Sequence, residues 1–214
     1  MTTDIIKDQP ETAIHIGFIN GYRDGTIRPD NFITRAEVAV ILWRLIKDPA
    51  KYASGSGALK AVKAGLWYSQ AVNFLAQKGA LKVFGDGGFK PKRTVTRAEF
   101  VAIVSNFDRL PRGAPNPFSD ITPDHWAYDH IISAYTKRWI SGYPDGEFKP
   151  QNNITRAEAV AMINRVLGIV PDKTMAAAAL HKPYPDLPAD HWAFTAMMEA
   201  STEQADRSSI LFFY

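Results

Sequence analysis

The sequence contains no cysteine, which excludes disulfide staples and thiolate metal sites. It has no run approaching the roughly eighteen apolar residues of a membrane-crossing helix, so no membrane span is expected. Net charge is also small: 25 Lys and Arg face 22 Asp and Glu, a formal +3. That balance is too weak to argue for nucleic acid as a partner and supports only a mild preference for something acidic. The N-terminus, Met1-Thr2-Thr3-Asp4, has neither the basic start nor the apolar core of a signal peptide. On that reading the protein is cytosolic, or the sequence is a mature or partial form. What the 214 residues do have, at 46% hydrophobic and 22% charged, is ordinary globular composition with enough apolar material for a core.

The chain is organised around one five-residue stretch that occurs three times. Ile33-Thr34-Arg35-Ala36-Glu37, Val95-Thr96-Arg97-Ala98-Glu99 and Ile154-Thr155-Arg156-Ala157-Glu158 place their threonines 62 and 59 residues apart. A near-constant period of that size marks an internal repeat. Thr followed three residues later by Glu, ahead of an apolar run, is a capping box, in which two of the orphan donors at a helix start are satisfied reciprocally. Thr and Glu therefore have a structural task, and Ala is a good helix former. Arg stands at the first helical position, where the macrodipole disfavours a cation. The same residue in the same unfavourable place three times suggests that each Arg, with the N–H groups beside it, helps to hold an anion. The plainer alternative is an intramolecular ion pair, for example with Asp120 or Asp186.

More than the capping box repeats. Gly21-Tyr22-Arg23-Asp24-Gly25, Val83-Phe84-Gly85-Asp86-Gly87 and Gly142-Tyr143-Pro144-Asp145-Gly146 lie thirteen residues upstream of the threonines, and Asp-Gly after an aromatic signals a tight turn. Then come Ile27-Arg28-Pro29, Phe89-Lys90-Pro91 and Phe148-Lys149-Pro150. Trp67 and Trp126 stand 29 residues before their threonines. Helix-period spacing follows Trp126 at Ile131, Ile132, Tyr135, Trp139 and Ile140. One unit thus reads helix, turn loop, then a helix opened by the capping box. These second helices are apolar nearly all round, so they are expected to be buried together as a shared core. The fold class is mainly α, in three tandem helix-loop-helix repeats plus a C-terminal half-repeat.

The predicted units are 4–48, 60–110, 117–170 and a partial fourth at 183–214. In repeat one the Trp position falls at Ile5, and Pro10 shortens the first helix, which starts near Glu11. The fourth unit begins with Tyr184-Pro185-Asp186 and Asp190-His191-Trp192-Ala193, matching Phe118-Ser119-Asp120 and Asp124-His125-Trp126-Ala127, and it ends before a capping box. It is expected to dock on the bundle as a helix, with residues 210–214 partly tucked in. Residues 53–57 read as a flexible linker, residues 110–117 as an extended spacer, and residues 174–180 as a short helix.

Several catalytic and metal readings fail on the residues. The best candidate calcium loop, Asn20 to Asn31, has Tyr22 and Asn31 where oxygen ligands belong, so no metal or cofactor is expected. His125 and His191 lack a nucleophile partner at a motif-like position and read as turn or cap residues. Glu37, Glu99 and Glu158 are explained by capping, so pairing them as a hydrolase acid and base would count them twice. Lys90-Pro91-Lys92-Arg93 reads as a solvated loop that could add attraction for an anionic polymer. No enzyme is indicated.

His-Trp-Ala, then Gly-Tyr-x-Asp-Gly-x-Phe-x-Pro, then Ile-Thr-Arg-Ala-Glu resembles the surface-layer homology (SLH) domain of bacterial surface proteins. Repeat three carries every part, from Phe118 to Glu158. The resemblance implies three repeats arranged as a pseudo-threefold trimer in one chain. It implies an extracellular place at the cell wall or S-layer, and non-covalent anchoring to a cell-wall polysaccharide, commonly one bearing ketal-linked pyruvate. The sugar would lie in grooves between repeats, with Arg35, Arg97 and Arg156 on the anionic groups. Trp67, Trp126 and Trp192, with Asp120 and Asp186, are the further groove candidates. For the tryptophans the plainer expectation is core anchoring at the helix start, against a ring face exposed for stacking on sugar. Repeat two departs from the pattern at Val83 and Ala61, and repeat one lacks both the Trp and the Asp. The half-unit could supply Asp186 and Trp192 where repeat one is deficient. The second reading is a self-assembly module packing against other surface-layer subunits, with the arginines holding the fold. The third is the anchoring part of a longer surface enzyme.

Overall fold

A computed structural model describes residues 17–46, 62–81, 88–108, 111, 113–171 and 184–202. The expected repeat-one helix from Glu11, the 53–57 linker, the turn at 83–87, the 174–180 helix and the 210–214 tail lie outside the described residues. Among those that are described there are six α-helices and no strands. They are α1 (Arg35–Leu45), α2 (Ser69–Gln77), α3 (Arg97–Val104), α4 (Tyr128–Thr136), α5 (Arg156–Val166) and α6 (Phe194–Ser201). A 3-10 turn, Ser105–Phe107, extends α3.

The capping box forms all three times. Thr34 Oγ1 accepts from Glu37 N at 3.4 Å, and Glu37 Oε2 accepts from Thr34 N at 2.8 Å. Thr96 with Glu99 and Thr155 with Glu158 repeat both bonds. The next two amides of each helix start donate across repeats. Arg35 N reaches Arg93 O, Arg97 N reaches Asn152 O, and Arg156 N reaches Asn31 O; the following alanines reach Pro91, Pro150 and Pro29 O. All the early N–H groups that a helix leaves without an internal partner are thus satisfied.

The residues just before the caps are joined in a cycle. Ile33 N donates to Ile154 O, Ile154 N to Val95 O, and Val95 N to Ile33 O, each at 3.0 Å. Isolated bridges pair Phe32 with Thr155, Thr34 with Thr94, and Thr96 with Asn153. Ile33, Val95 and Ile154 are fully buried, so these backbone groups have no access to water and must pair with one another. A single hydrophobic core runs from Phe18 to Ala200.

The capping-box helices do not pack mainly on one another, as their all-round apolarity suggests. α1 lies against α2, α3 against α4, and α5 against α6, while α3 also touches α5. Each second helix is therefore covered by the first helix of the following unit. The reason is local: the helix starts are fixed to neighbouring loops, and the first helices carry the opposing apolar stripes, such as Ile131, Ile132 and Ala134 on α4.

The Phe-Lys-Pro loops are held by a carboxylate. Asp120 accepts from Phe148 N at 2.8 Å and Lys149 N at 2.7 Å. Asp186 does the same for Ile27 N at 2.9 Å and Arg28 N at 2.7 Å, from 159 and 158 residues away. The base before each proline, Arg28, Lys90 and Lys149, has φ of 53°, 50° and 57°, a left-handed conformation costing non-glycine residues about 1 kcal/mol or more. Gly142 and Gly21 lie under rings: a Cβ would come within 2.7 Å of the Phe118 ring and 2.5 Å of the Tyr184 ring. The bond from Trp139 N to Ala134 O recurs as Ala80 N to Leu75 O and as Phe18 N to Ala200 O.

Asp120→Ala leaves two partly buried amides without their charged acceptor. It is expected to lose about 2–4 kcal/mol of stability, and Asp186→Ala a similar amount, in urea denaturation. A loss below about 0.5 kcal/mol at either position, the range of surface changes, would contradict this assignment.

Candidate functional site

Each motif arginine projects from one repeat and meets groups from others. Arg97 Nε donates to Phe148 O at 2.9 Å, one Nη to Ser141 O at 3.3 Å, and the other contacts Glu158 Oε1 at 3.5 Å. Its guanidinium lies 4.8 Å over the rings of Tyr143 and Phe148. Arg156 repeats the pattern with Ile27 O at 2.9 Å, Asn20 O at 3.2 Å, Glu37 Oε1 at 3.1 Å and the Tyr22 ring at 4.8 Å. Arg35 Nε donates to Phe89 O at 2.9 Å, and its guanidinium stands over the Phe89 ring. The three arginines are 5%, 5% and 3% exposed.

The ion-pair partner is the capping-box glutamate of a neighbouring repeat rather than Asp120 or Asp186. Glu37 and Glu158 each use one oxygen to close their own helix start and the other to face an arginine. Tyr22 OH donates to the same Glu37 oxygen that Arg156 meets. Burial first, and that hydrogen bond second, push the Tyr22 hydroxyl up to about 12. Burial, followed by the nearby Arg93, lowers the Arg35 pKa, and Glu99 opposes the shift.

The amides at the helix starts, expected to share in holding an anion, already donate to carbonyls of neighbouring repeats. An anion would therefore meet the guanidinium alone. Among the described residues, three of the five N–H bonds of Arg97 and of Arg156 are taken, leaving two on each as donors.

Two grooves are well formed. One, of about 200 Å³, is lined by Arg97, Tyr143, Glu158, Arg165 and Trp192 among others. The other, of about 310 Å³, is lined by Arg35, Glu99, Asn106, Trp126 and His130 among others. Both are built the same way: Arg from one repeat, Glu from the next, Trp from just ahead of the first helix of the unit after that. Asp120 and Asp186 line neither groove, because their carboxylates are committed to loop amides.

The tryptophans are not core anchors. Trp67, Trp126 and Trp192 are 65%, 58% and 63% exposed. The residue after each of the latter two, Ala127 and Ala193, is the one buried. His125 and His191 take the turn role: Nδ1 accepts from Ala127 N at 3.1 Å and from Ala193 N at 3.2 Å. His191 Nε2 also lies 3.2 Å from Asp30 of repeat one. Tyr22 and Tyr143 as ring floors under arginines were not foreseen; the repeated Gly-Tyr-x-Asp-Gly was the available signal. Among the described residues no group of His, Asp or Glu could hold a metal ion, and no helix is long and apolar enough to cross a membrane.

Comparison with known proteins agrees with this architecture. A family model described as S-layer homology domain matches residues 11–39, 62–101 and 117–160, together more than half of the chain. The chain is 36% identical over 203 residues to cell surface glycoprotein 1 of Acetivibrio thermocellus, covering 89% of this chain and 9% of that protein. It is 34% identical over 196 residues to the cellulosome-anchoring protein of the same organism, covering 88% of this chain and 42% of the relative. It is 30% identical over 169 residues to an amylopullulanase of Thermoanaerobacterium thermosulfurigenes, covering 75% and 9%. The chain belongs to the S-layer homology domain family, whose place is the bacterial cell surface and wall. It spans less than half the length of each of these three relatives.

The raised Tyr22 hydroxyl makes an alkaline prediction. Its folded pKa lies above the unfolded value of 10.0, so its contribution is fully present below about pH 10 and declines as pH rises toward about 12. Thermal unfolding is expected to show a decline over that window that is smaller in Tyr22→Phe. Parallel profiles for both proteins would contradict the assignment.

Proposed function

We propose that this chain is a non-catalytic module that anchors a bacterial surface protein to the cell wall by holding an acidic polysaccharide, one bearing pyruvate ketals, in grooves between repeats. Arg35, Arg97 and Arg156 meet the negative groups, and Trp67, Trp126 and Trp192 offer ring faces to the sugar. The observation that carries this reading is the joint lining of the two grooves: a motif guanidinium, a floor shaped by a second repeat, and an exposed indole from a third unit. An exposed, fixed aromatic beside a partly neutralised cation suits a pyranose with a carboxylate.

In this reading the three repeats form a pseudo-threefold trimer within one chain. The closed cycle through Ile33, Val95 and Ile154 supports it, as do the arginine bonds that pass from each repeat to the next. Residues 184–202 are the first half of repeat one, displaced to the far end of the chain. Asp186, Tyr184 and the Phe18–Ala200 bond stand where Asp120, Phe118 and the Trp139–Ala134 bond stand in repeat three. Asp120 and Asp186 act on the sugar only through the loops they hold. Several grooves on one chain give avidity on a repeating polymer without strong single sites. The match to both a cellulosome-anchoring protein and an amylopullulanase supports a portable anchor whose cargo varies.

Because the arginines are built into the fold, the tryptophans are the cleaner test. Trp67, Trp126 and Trp192, changed to Ala together, should alter stability by no more than about 0.5 kcal/mol per site. Each lost ring should weaken pull-down by isolated cell walls roughly three- to tenfold. Unchanged wall binding in the triple variant would reject the glycan reading in favour of self-assembly.

A further inference from the structure

The groove at Arg97 has a neighbour beyond Ser141. A second cleft, of about 380 Å³, is lined by Tyr135, Thr136, Arg138, Ile140, Ser141 and Arg165. It shares Ser141 and Arg165 with the Arg97 groove, so the two clefts adjoin. Arg138 and Arg165 are both exposed. Among the described residues neither side chain has a hydrogen bond or ion pair, whereas Arg97 is offset by Glu158.

Comparison between repeats shows that Arg138 is peculiar to this groove and that Arg165 differs from its counterparts in having no partner among the described residues. Arg138 follows α4 by two residues, at φ 60°; the same position after α2 is Gly79, at φ 73°. Each amide makes the same turn bond, Arg138 N to Tyr135 O and Gly79 N to Ala76 O. A left-handed residue after a helix is ordinarily glycine, which adopts it without steric penalty. Repeat three carries an arginine there despite that penalty. Arg165, in the last turn of α5, matches Arg44 in α1, which donates to Phe18 O at 3.3 Å, and Asn106 after α3, whose side-chain amide is tied to Ala102 O and Ile103 O. Helix-end electrostatics favour a cation near a helix C-terminus, but they do not require one at a strained backbone position. Strain retained beside a cleft points from the outlier toward a function.

We propose that Arg138 and Arg165 form a second anion subsite next to the Arg97 groove, taking a carboxylate or phosphate on the neighbouring residue of the glycan chain. This rests on the glycan-binding reading above and extends it to a polymer charged on more than one residue. Tyr135, partly exposed and held edge-on at 5.3 Å from the Phe118 ring, supplies an apolar wall for that sugar. Two uncompensated guanidinium groups in one cleft raise its affinity for anions beyond what Arg97 provides. Their planar forks suit either oxyanion.

The test compares the full chain with Arg138→Gly, Arg165→Gln and the double variant by titration calorimetry. The probes are a monosaccharide carrying one pyruvate ketal and wall polysaccharide purified from the producing bacterium, the latter before and after removal of its phosphate with hydrofluoric acid. Polymer binding is expected to weaken about tenfold for each lost arginine, with monosaccharide binding changed less than about twofold, within what a site not touching the probe shows. Arg138→Gly should also raise Tm by about 2–4 °C, since it relieves the left-handed strain. A gap between wild type and double variant that vanishes on dephosphorylation identifies a phosphate; one that survives identifies a carboxylate. Wild-type polymer affinity in the double variant, or equal loss for both probes, overturns the subsite and leaves the Arg97 groove standing. Failure of the wild-type chain to bind either probe overturns both.

Discussion

The rest of the structure depends on how the buried arginines are satisfied. A guanidinium that is 3–5% exposed cannot keep its hydration, and an unpaired buried charge is among the most expensive features a fold can carry. Here each Nε finds a carbonyl in the loop of another repeat: Phe89 for Arg35, Phe148 for Arg97, Ile27 for Arg156. That carbonyl faces the arginine because a carboxylate or turn fixes the loop and because the next residue accepts a left-handed backbone. The glutamate that closes one helix start also faces an arginine from another repeat at Glu37 and Glu158. Local helix chemistry and contact between repeats therefore share the same five residues.

This sharing explains why the candidate grooves are composite. No single repeat holds a complete set of Arg, Glu and Trp around one cavity; each groove takes its parts from three units. The C-terminal segment is part of that scheme. Its Trp192 stands in the Arg97 groove, while its Asp186 and Tyr184 hold the loop and glycine of repeat one. A chain that loses this segment would lose a groove wall and a loop clamp together.

Much of this was legible from residues alone. Thr and Glu three apart announced each helix start, and all three capping boxes form. The half-unit was visible in Asp186 and His191-Trp192-Ala193. Other parts could not be read, for specific reasons. Glu37 was accounted for by its own helix, and nothing local says that its second oxygen faces Arg156, 119 residues away. Asp120 looked like a groove acid because its amide partners lie 28 and 29 residues on, in a loop whose curvature the sequence does not encode. The tryptophans looked like core because large apolar residues at helix starts usually are, yet the buried positions are the neighbouring alanines. Arg138 carried no signal until its backbone could be set beside Gly79.

Arg156 and Glu37 couple repeats three and one. A double-mutant cycle with Arg156→Met and Glu37→Gln, read by urea denaturation, tests this coupling most directly. Contact at 3.1 Å with both side chains largely buried predicts a coupling energy of about 1–3 kcal/mol. Additive losses, with coupling below about 0.5 kcal/mol as for independent sites, would contradict it.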